Sequence, residues 1–200
     1  MVFGLIISGI TSLVSSVICK LAPVLASISP ILEAITPLLQ GIINISKIFT
    51  NTSLEEIGEK VLSAEDQLDD FDSFEDYRQY INERRVDLSV SKFTSKEREL
   101  AGLSFGLRCL EDDLNIKIGA DTLKLLNSNP NYFTTERALM YFKAFAQAGL
   151  ELDYLNQYFE AVLPTKLETE IEGVLLSCER ELQPQNSDIK LLEQIKHQRN

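Results

Sequence analysis

The stretch PVLASISPILEAITPLLQGII, residues 23–43, decides how the first part of this chain folds. It is a seven-residue repeat that starts again at Pro23, Pro30 and Pro37, with aliphatic residues at fixed places behind each proline. Seven-residue spacing brings equivalent side chains onto one face of an α-helix, turn after turn. The repeat therefore predicts a helical segment with one continuous apolar stripe and with its prolines on another face.

The stripe extends beyond the repeat when the chain is aligned in sevens, and it consists of three columns of large aliphatic side chains. The columns are Val14, Leu21, Ile28, Ile35 and Ile42; Val17, Val24, Ile31, Leu38 and Ile45; and Ile18, Leu25, Leu32 and Leu39. The remaining columns are small or polar, mostly Ser, Ala, Thr, Pro and Gly. We expect the aliphatic stripe to be the face through which the segment assembles or inserts into a membrane.

The three repeat prolines constrain the shape of this helix. A proline inside a helix removes a backbone hydrogen bond and costs roughly 3 kcal/mol. Because all three prolines share one face, they predict a helix that bends away from that face and makes the stripe concave. The alternative is a series of short helices that end at Ala22, Ser29 and Thr36, since a residue before proline avoids the α conformation.

Two environments satisfy such a stripe. In water or in a protein assembly, the aliphatic face packs against identical helices, whereas in a bilayer it faces lipid and the small residues pack helix against helix. In the bilayer, Glu33 and Gln40 would face a lumen; in water they would be ordinary exposed side chains. The faces beside the stripe lack the Glu and Lys of a soluble coiled coil, so the segment needs lipid, copies of itself or another protein.

The charge of the chain is unevenly distributed. Its 19 basic and 30 acidic residues give a net charge of −11, which argues against a nucleic-acid partner because phosphate binding requires a basic surface. Residues 1–50 contain only Lys20, Glu33 and Lys47 as charged residues. We therefore expect three parts: an apolar helical segment over 1–50, an acidic connector with short helices over 51–94, and a helical-bundle domain over 95–200.

The fold class predicted from these patterns is all-α. Apolar residues recur at helical spacing throughout the last hundred residues, and turn residues such as Gly149 and Pro164 separate the periodic stretches. The first predicted helix is short, is capped by Thr52 or Ser53, begins at Glu55 and Glu56 and ends at about Ser63. The others are Ser73 to Arg84, Ser95 to Leu114, Ala120 to Asn127, Thr134 to Ala148, Leu152 to Leu163, Thr165 to Leu182 and one after Ser187. The segment Val86 to Phe93 alternates in polarity and predicts a short extended linker.

The sequence contains little that indicates catalysis or cofactor binding. The single histidine, His197, lies close to the last residue, and with Glu193 it offers two metal ligands where catalytic zinc needs three. The acidic run from Glu65 to Asp76 lacks the glycine and terminal glutamate of an EF-hand. No phosphate-binding loop or dinucleotide fingerprint occurs. We therefore predict no catalytic residues, no cofactor and no metal, and we expect the three cysteines to be buried thiols.

These observations favour a non-enzymatic homo-oligomeric, membrane-active protein that inserts in a bilayer or forms a pore through its N-terminal helix. One alternative is a structural component of a self-assembling particle, tube or filament, as in bacterial secretion systems or phages. Another is a secreted effector whose apolar segment is covered by a chaperone. The partners would be a bilayer or identical subunits. The start of the chain lacks the features of a cleavable signal peptide, so we expect a membrane-associated protein or part of a secreted or particle assembly.

Overall fold

The computed structural model describes residues 32–47, 49 and 52–199, and this part of the chain contains nine α-helices, two short 3-10 helices and no strand. The prediction of an all-α fold is therefore confirmed for the described residues. The helices are α1 Leu32–Ile45, α2 Leu54–Leu62, α3 Phe74–Glu83, α4 Ser95–Leu114, α5 Ala120–Ser128, α6 Thr135–Ala148, α7 Asp153–Phe159, α8 Thr165–Leu182 and α9 Asp188–Lys196.

The chain forms two compact units that meet between Leu110 and Glu111, within α4. The first unit contains α1, α2, α3 and most of α4, and the second contains the remaining helices. Composition suggests boundaries near residues 50 and 94. These positions mark changes in chemical character, and as domain boundaries they stay predictions.

Helix ends follow local side-chain chemistry. The hydroxyl of Ser53 accepts a hydrogen bond from the backbone N–H of Glu56 at 3.1 Å and so caps α2. Ser73 caps α3 in the same way, and Thr134 caps α6. Such caps satisfy backbone donors that have no partner within the helix. Gly149 ends α6 with a φ of 67°, in the left-handed conformation that glycine adopts without strain.

Two predicted segments differ from the structure. The helix predicted over Leu152 to Leu163 is shorter, because α7 ends at Phe159 and Ala161 takes a left-handed φ of 57° that no helix continues through. The segment predicted as an extended linker contains a 3-10 helix, Leu88–Val90, between extended residues on either side. Both departures are short turns, which periodicity does not resolve.

The first unit is organised around close contact between α2 and α4. A Cβ atom on Gly58 of α2 would lie 1.7 Å from the carbonyl oxygen of Arg98, and one on Gly102 of α4 would lie 2.0 Å from the carbonyl oxygen of Leu54. Each helix therefore presents a glycine to the backbone of the other. Tyr77 of α3 adds a ring contact to Phe105 of α4, with centroids 6.0 Å apart.

The second unit is built around α8, which packs against α6, α7 and α9, while α5 packs against α7. Its core is rich in aromatic side chains that are at most 1% exposed. These are Phe133, Tyr141, Phe142, Phe145, Tyr158 and Phe159. Large rings that meet edge to face bury much apolar area, which explains how a unit of ninety residues holds its five helices, α5 to α9, together.

Candidate functional site

The candidate site is the end of the apolar repeat, where it joins the first unit. Helix α1 begins at Leu32 and continues through Thr36 and Pro37 to Ile45. The alternative of a helix break at Thr36 therefore does not apply to this repeat. Pro37 is exposed, so its ring faces away from the buried side of the helix. Pro37 has no backbone N–H to donate within the helix, and the burial of aliphatic side chains on the opposite face offsets the free-energy cost of that lost hydrogen bond.

The buried face of α1 is formed by Ile35, Leu39, Ile42 and Ile43, each at most 1% exposed. These positions are spaced i, i+4, i+7 and i+8, which is the pattern of a helix packed on a globular core. Strict seven-residue alignment does not include Ile43. A reading at 3.6 residues per turn, applied to the same stretch, would have found it.

The remaining predicted positions of α1 lie outside this buried face. Leu38 is half-buried and Ile45 is 43% exposed, so the second column of the stripe turns toward solvent here. Gln40 is exposed as well. Leu32 and Glu33 belong to the first turn of α1. The stripe residues from Val14 to Ile31, together with Pro23 and Pro30, fall outside the described residues.

We call the contact that holds α1 the α1 seat. It consists of Gly106 and Phe105 of α4 on one side and of Ile43 and Phe49 on the other. A Cβ atom on Gly106 would lie 2.7 Å from Cδ1 of Ile43, so the side chain of Ile43 occupies the space that glycine leaves. The ring of Phe49 stacks on that of Phe105 with centroids 5.9 Å apart and planes 13° apart. The seat therefore fixes the end of the repeat to the first unit.

Small residues make this arrangement of α4 possible. Gly102 and Gly106 are four residues apart, and Ala101 and Ser104 near them are at most 1% exposed. The hydroxyl of Ser104 donates to the carbonyl of Leu100 at 2.8 Å, so no buried donor is left unsatisfied there. The four-residue separation of these glycines on α4 is a sequence signal for close helix packing that the predictions above do not use.

The second unit contains a buried polar cluster that joins α6 to α8. The carboxylate of Glu179 is 0% exposed and accepts hydrogen bonds from Nε of Arg137 at 2.7 Å, from the hydroxyl of Tyr141 at 2.6 Å and from the amide of Gln183 at 2.8 Å. The hydroxyls of Tyr141 and Tyr132 lie 2.8 Å apart. Arg137 also lies over the ring of Tyr132, 4.4 Å from its centroid. Every member has a partner, which is the condition for a buried polar network to stabilise a fold.

The environment of this cluster shifts the pKa values of its members. Burial acts to raise the pKa of Glu179, but hydrogen bonds from Arg137 and Tyr141 and the charge of Arg137 outweigh it, so the pKa is lowered. Burial and the charge of Glu179 raise the pKa of Tyr132. The pKa of Tyr141 is raised well above its ordinary value, mainly by burial. The cluster therefore favours a carboxylate and two neutral phenols.

These shifts predict how the second unit responds to pH. A lowered carboxyl pKa contributes stability above about pH 4.3, and this contribution is lost as the pH falls further. A raised phenol pKa contributes stability below about pH 10, and this contribution is lost above that value. We expect the urea concentration at the unfolding midpoint of the second unit to decrease below about pH 4.3 and above about pH 10. A Tyr132→Phe variant should show a weaker alkaline fall, and an unchanged alkaline profile in it would contradict the assignment.

Other reactive groups in the described part of the chain do not gather into a site. Among residues 32–47, 49 and 52–199, no group of three His, Cys, Asp or Glu side chains is placed to hold a metal ion. His197 is exposed just after α9. Cys109 and Cys178 are buried thiols, as predicted, while Cys19 lies outside the described residues. Burial, with the charges of Glu181 and Glu179, raises the pKa of Cys178 to about 11.

No described helix combines the length and the apolar character needed to cross a bilayer. Comparison with known proteins found no match among family models, curated sequences or solved structures.

Proposed function

We propose that this protein is a non-enzymatic homo-oligomer whose N-terminal residues insert into a lipid bilayer ahead of α1, while the helical units remain outside it. The observation that carries this proposal is the α1 seat. It commits the buried face of α1 to the folded chain, and the proposal assigns the aliphatic columns before α1 to lipid.

The length and charge of the segment before α1 support insertion. Residues 2–31 number thirty, and Lys20 is the only charged residue among them. About 20 apolar residues are enough for one helical crossing of a bilayer. The columns of Ser, Ala and Pro beside the stripe are of the kind that lets neighbouring transmembrane helices approach closely, which supports an oligomer. Under this proposal Glu33 and Gln40, both on α1, lie at the mouth of the oligomer.

A flotation experiment with full-length protein and phosphatidylcholine vesicles tests this proposal. We expect Ile28→Asp to reduce vesicle binding by about tenfold to a hundredfold, because a carboxylate costs about 2.5–3.5 kcal/mol at the centre of an inserted helix and less toward its end, where Ile28 lies. The matched control is Ile189→Asp in α9, where the side chain is 72% exposed, and it should float like the wild type.

Two outcomes would contradict the proposal. One is a wild-type protein that stays at the bottom of the gradient with every vesicle. The other is an Ile28→Asp variant that floats as well as the wild type.

A second candidate function is assembly of a particle, tube or filament through the same segment. It is favoured by the second column of the stripe, because Leu38 is half-buried and Ile45 is 43% exposed within one chain. A neighbouring copy packed along that column would cover both side chains. This function predicts that, without lipid, Ile45→Asp lowers the mass measured by light scattering, whereas bilayer insertion predicts no such change.

A further inference from the structure

The loop between α3 and α4 is held firmly where it leaves α3. Arg84, which follows the last residue of α3, donates from Nη1 to the hydroxyl of Tyr80 at 2.7 Å and from Nη2 to the carbonyl of Ser63 at 2.7 Å. Its guanidinium also lies 5.2 Å from the centroid of the Tyr80 ring. These contacts tie the start of the loop to α3 and to the end of α2.

The other end of the loop is held as firmly. The hydroxyl of Ser91 donates to the carboxylate of Glu59 in α2. Phe93 is 9% exposed, and its carbonyl accepts a hydrogen bond from Nη1 of Arg98 at 2.6 Å. Both ends of the loop are therefore fixed to the first unit through side chains that are themselves partly or fully buried.

The middle of the loop has a defined shape and yet leaves apolar side chains in solvent. Asp87 accepts hydrogen bonds from the backbone N–H of Ser89 at 2.9 Å and from its hydroxyl at 2.7 Å, and these bonds start the 3-10 helix Leu88–Val90. Leu88 is 36% exposed and Val90 is 79% exposed. A loop that is anchored and internally bonded does not depend on these two side chains for its fold.

Basic residues flank the exposed apolar pair. Arg85 and Lys92 are both exposed, on either side of Leu88 and Val90. The loop residues 85–92 contain two basic residues and one acidic residue, Asp87, a net charge of +1, in a chain whose net charge is −11. Apolar side chains that protrude between basic ones are the combination that binds the interface of an anionic membrane.

We infer that this loop, residues 85–92, contacts a bilayer that contains anionic lipids. Leu88 and Val90 enter the interface between headgroups and acyl chains, while Arg85 and Lys92 lie against lipid phosphates and carboxylates. The inference rests on the proposed function, since it assigns a second contact with the bilayer that the N-terminal segment enters. Charge complementarity selects an anionic surface over a neutral one, because anionic headgroups attract the two basic side chains and uncharged headgroups do not.

Binding of full-length protein to phosphatidylcholine vesicles, with or without added phosphatidylserine, tests this inference. We expect tighter binding to the serine-containing vesicles. Arg85→Gln combined with Lys92→Gln should weaken that binding roughly thirtyfold, from about 1 kcal/mol per basic residue, and should leave binding to phosphatidylcholine unchanged. The matched control is Lys166→Gln with Lys190→Gln, which replaces two exposed lysines of the second unit and should have a smaller effect.

The apolar contact has its own variants. Leu88→Ser with Val90→Ser should also weaken binding to serine-containing vesicles, and Val162→Ser, at a side chain that is 63% exposed, serves as its control. Circular dichroism should be the same for the loop variants and their controls, since none of these replaced side chains is buried.

The outcomes separate this inference from the proposed function. Equal wild-type binding to both kinds of vesicle, with no effect of the loop variants, would overturn the loop contact and leave insertion standing. Loop-dependent binding that persists in Ile28→Asp would support the loop contact and overturn insertion. A wild type that binds neither kind of vesicle would overturn both.

Discussion

Gly58→Ala is expected to lower the free energy of unfolding of the first unit by about 3 kcal/mol, at the upper end of the effects of overpacking. The added Cβ atom would lie 1.7 Å from the carbonyl oxygen of Arg98, and backbone atoms cannot move aside as a flexible side chain can. Helices α2 and α4 would have to separate. Gly102→Ala should act in the same direction, because its Cβ atom would lie 2.0 Å from the carbonyl oxygen of Leu54.

The chain supplies a matched control in Gly173, which is exposed inside α8. A Cβ atom there meets no other atom within 4 Å, so Gly173→Ala should raise stability by about 0.5–1 kcal/mol through helix propensity alone. Urea unfolding followed by circular dichroism compares the variants. If Gly58→Ala and Gly173→Ala shift stability in the same direction, the close contact between α2 and α4 is wrong.

Arg137→Met is expected to destabilise the second unit by about 3–5 kcal/mol, since it leaves the carboxylate of Glu179 buried without its charged partner. The carboxylate would keep its hydrogen bonds from Tyr141 and Gln183, but it would lose two from Arg137. Adding Glu179→Leu should recover part of the loss, because an apolar pair of similar volume does not need solvation.

The control for this effect is Arg180→Met. Arg180 pairs with Asp188 at 2.7 Å, but both side chains are more than half exposed, and exposed ion pairs contribute little to stability. Comparing Arg→Met at positions 137 and 180 therefore isolates the effect of burial on stability, because the substitution is the same at both. Denaturant unfolding of the two single variants and of the Arg137→Met/Glu179→Leu double variant gives the comparison, and equal effects at Arg137 and Arg180 would contradict the assigned role of the cluster.

Local sequence patterns predicted most helix positions because helix formation depends on spacing and on end residues. Helices α4 and α8 begin and end at the residues expected, Ser53 is one of the two caps expected for α2, and Gly149 ends α6 as expected. Apolar periodicity and capping are properties of short stretches, so they can be read without knowledge of the partner helices.

The candidate site was predictable only in part. Seven-residue alignment identified Ile35, Leu39 and Ile42, all of them buried, but it also included Ile45, which is 43% exposed, and it omitted the buried Ile43. Ile43 shares its heptad column with Thr36, which is also buried, so the face that the folded unit covers is turned away from the second column and toward that of Thr36. Spacing identifies an apolar stripe, but which side of it a partner covers depends on packing.

The sequence alone determined that the described part of the chain is helical, that the charge lies almost entirely after residue 50, and that an apolar repeat leads into α1, because each of these follows from composition and spacing. The tertiary structure decided which glycines pack against the backbone of a neighbouring helix, that Glu179 is buried against Arg137, and that Leu88 and Val90 are exposed to solvent. These features depend on residues far apart in the chain, such as Gly58 with Arg98 and Arg137 with Glu179, and on which apolar side chains find a partner. Local pattern contains no information on such pairings, since burial is a property of the packed molecule.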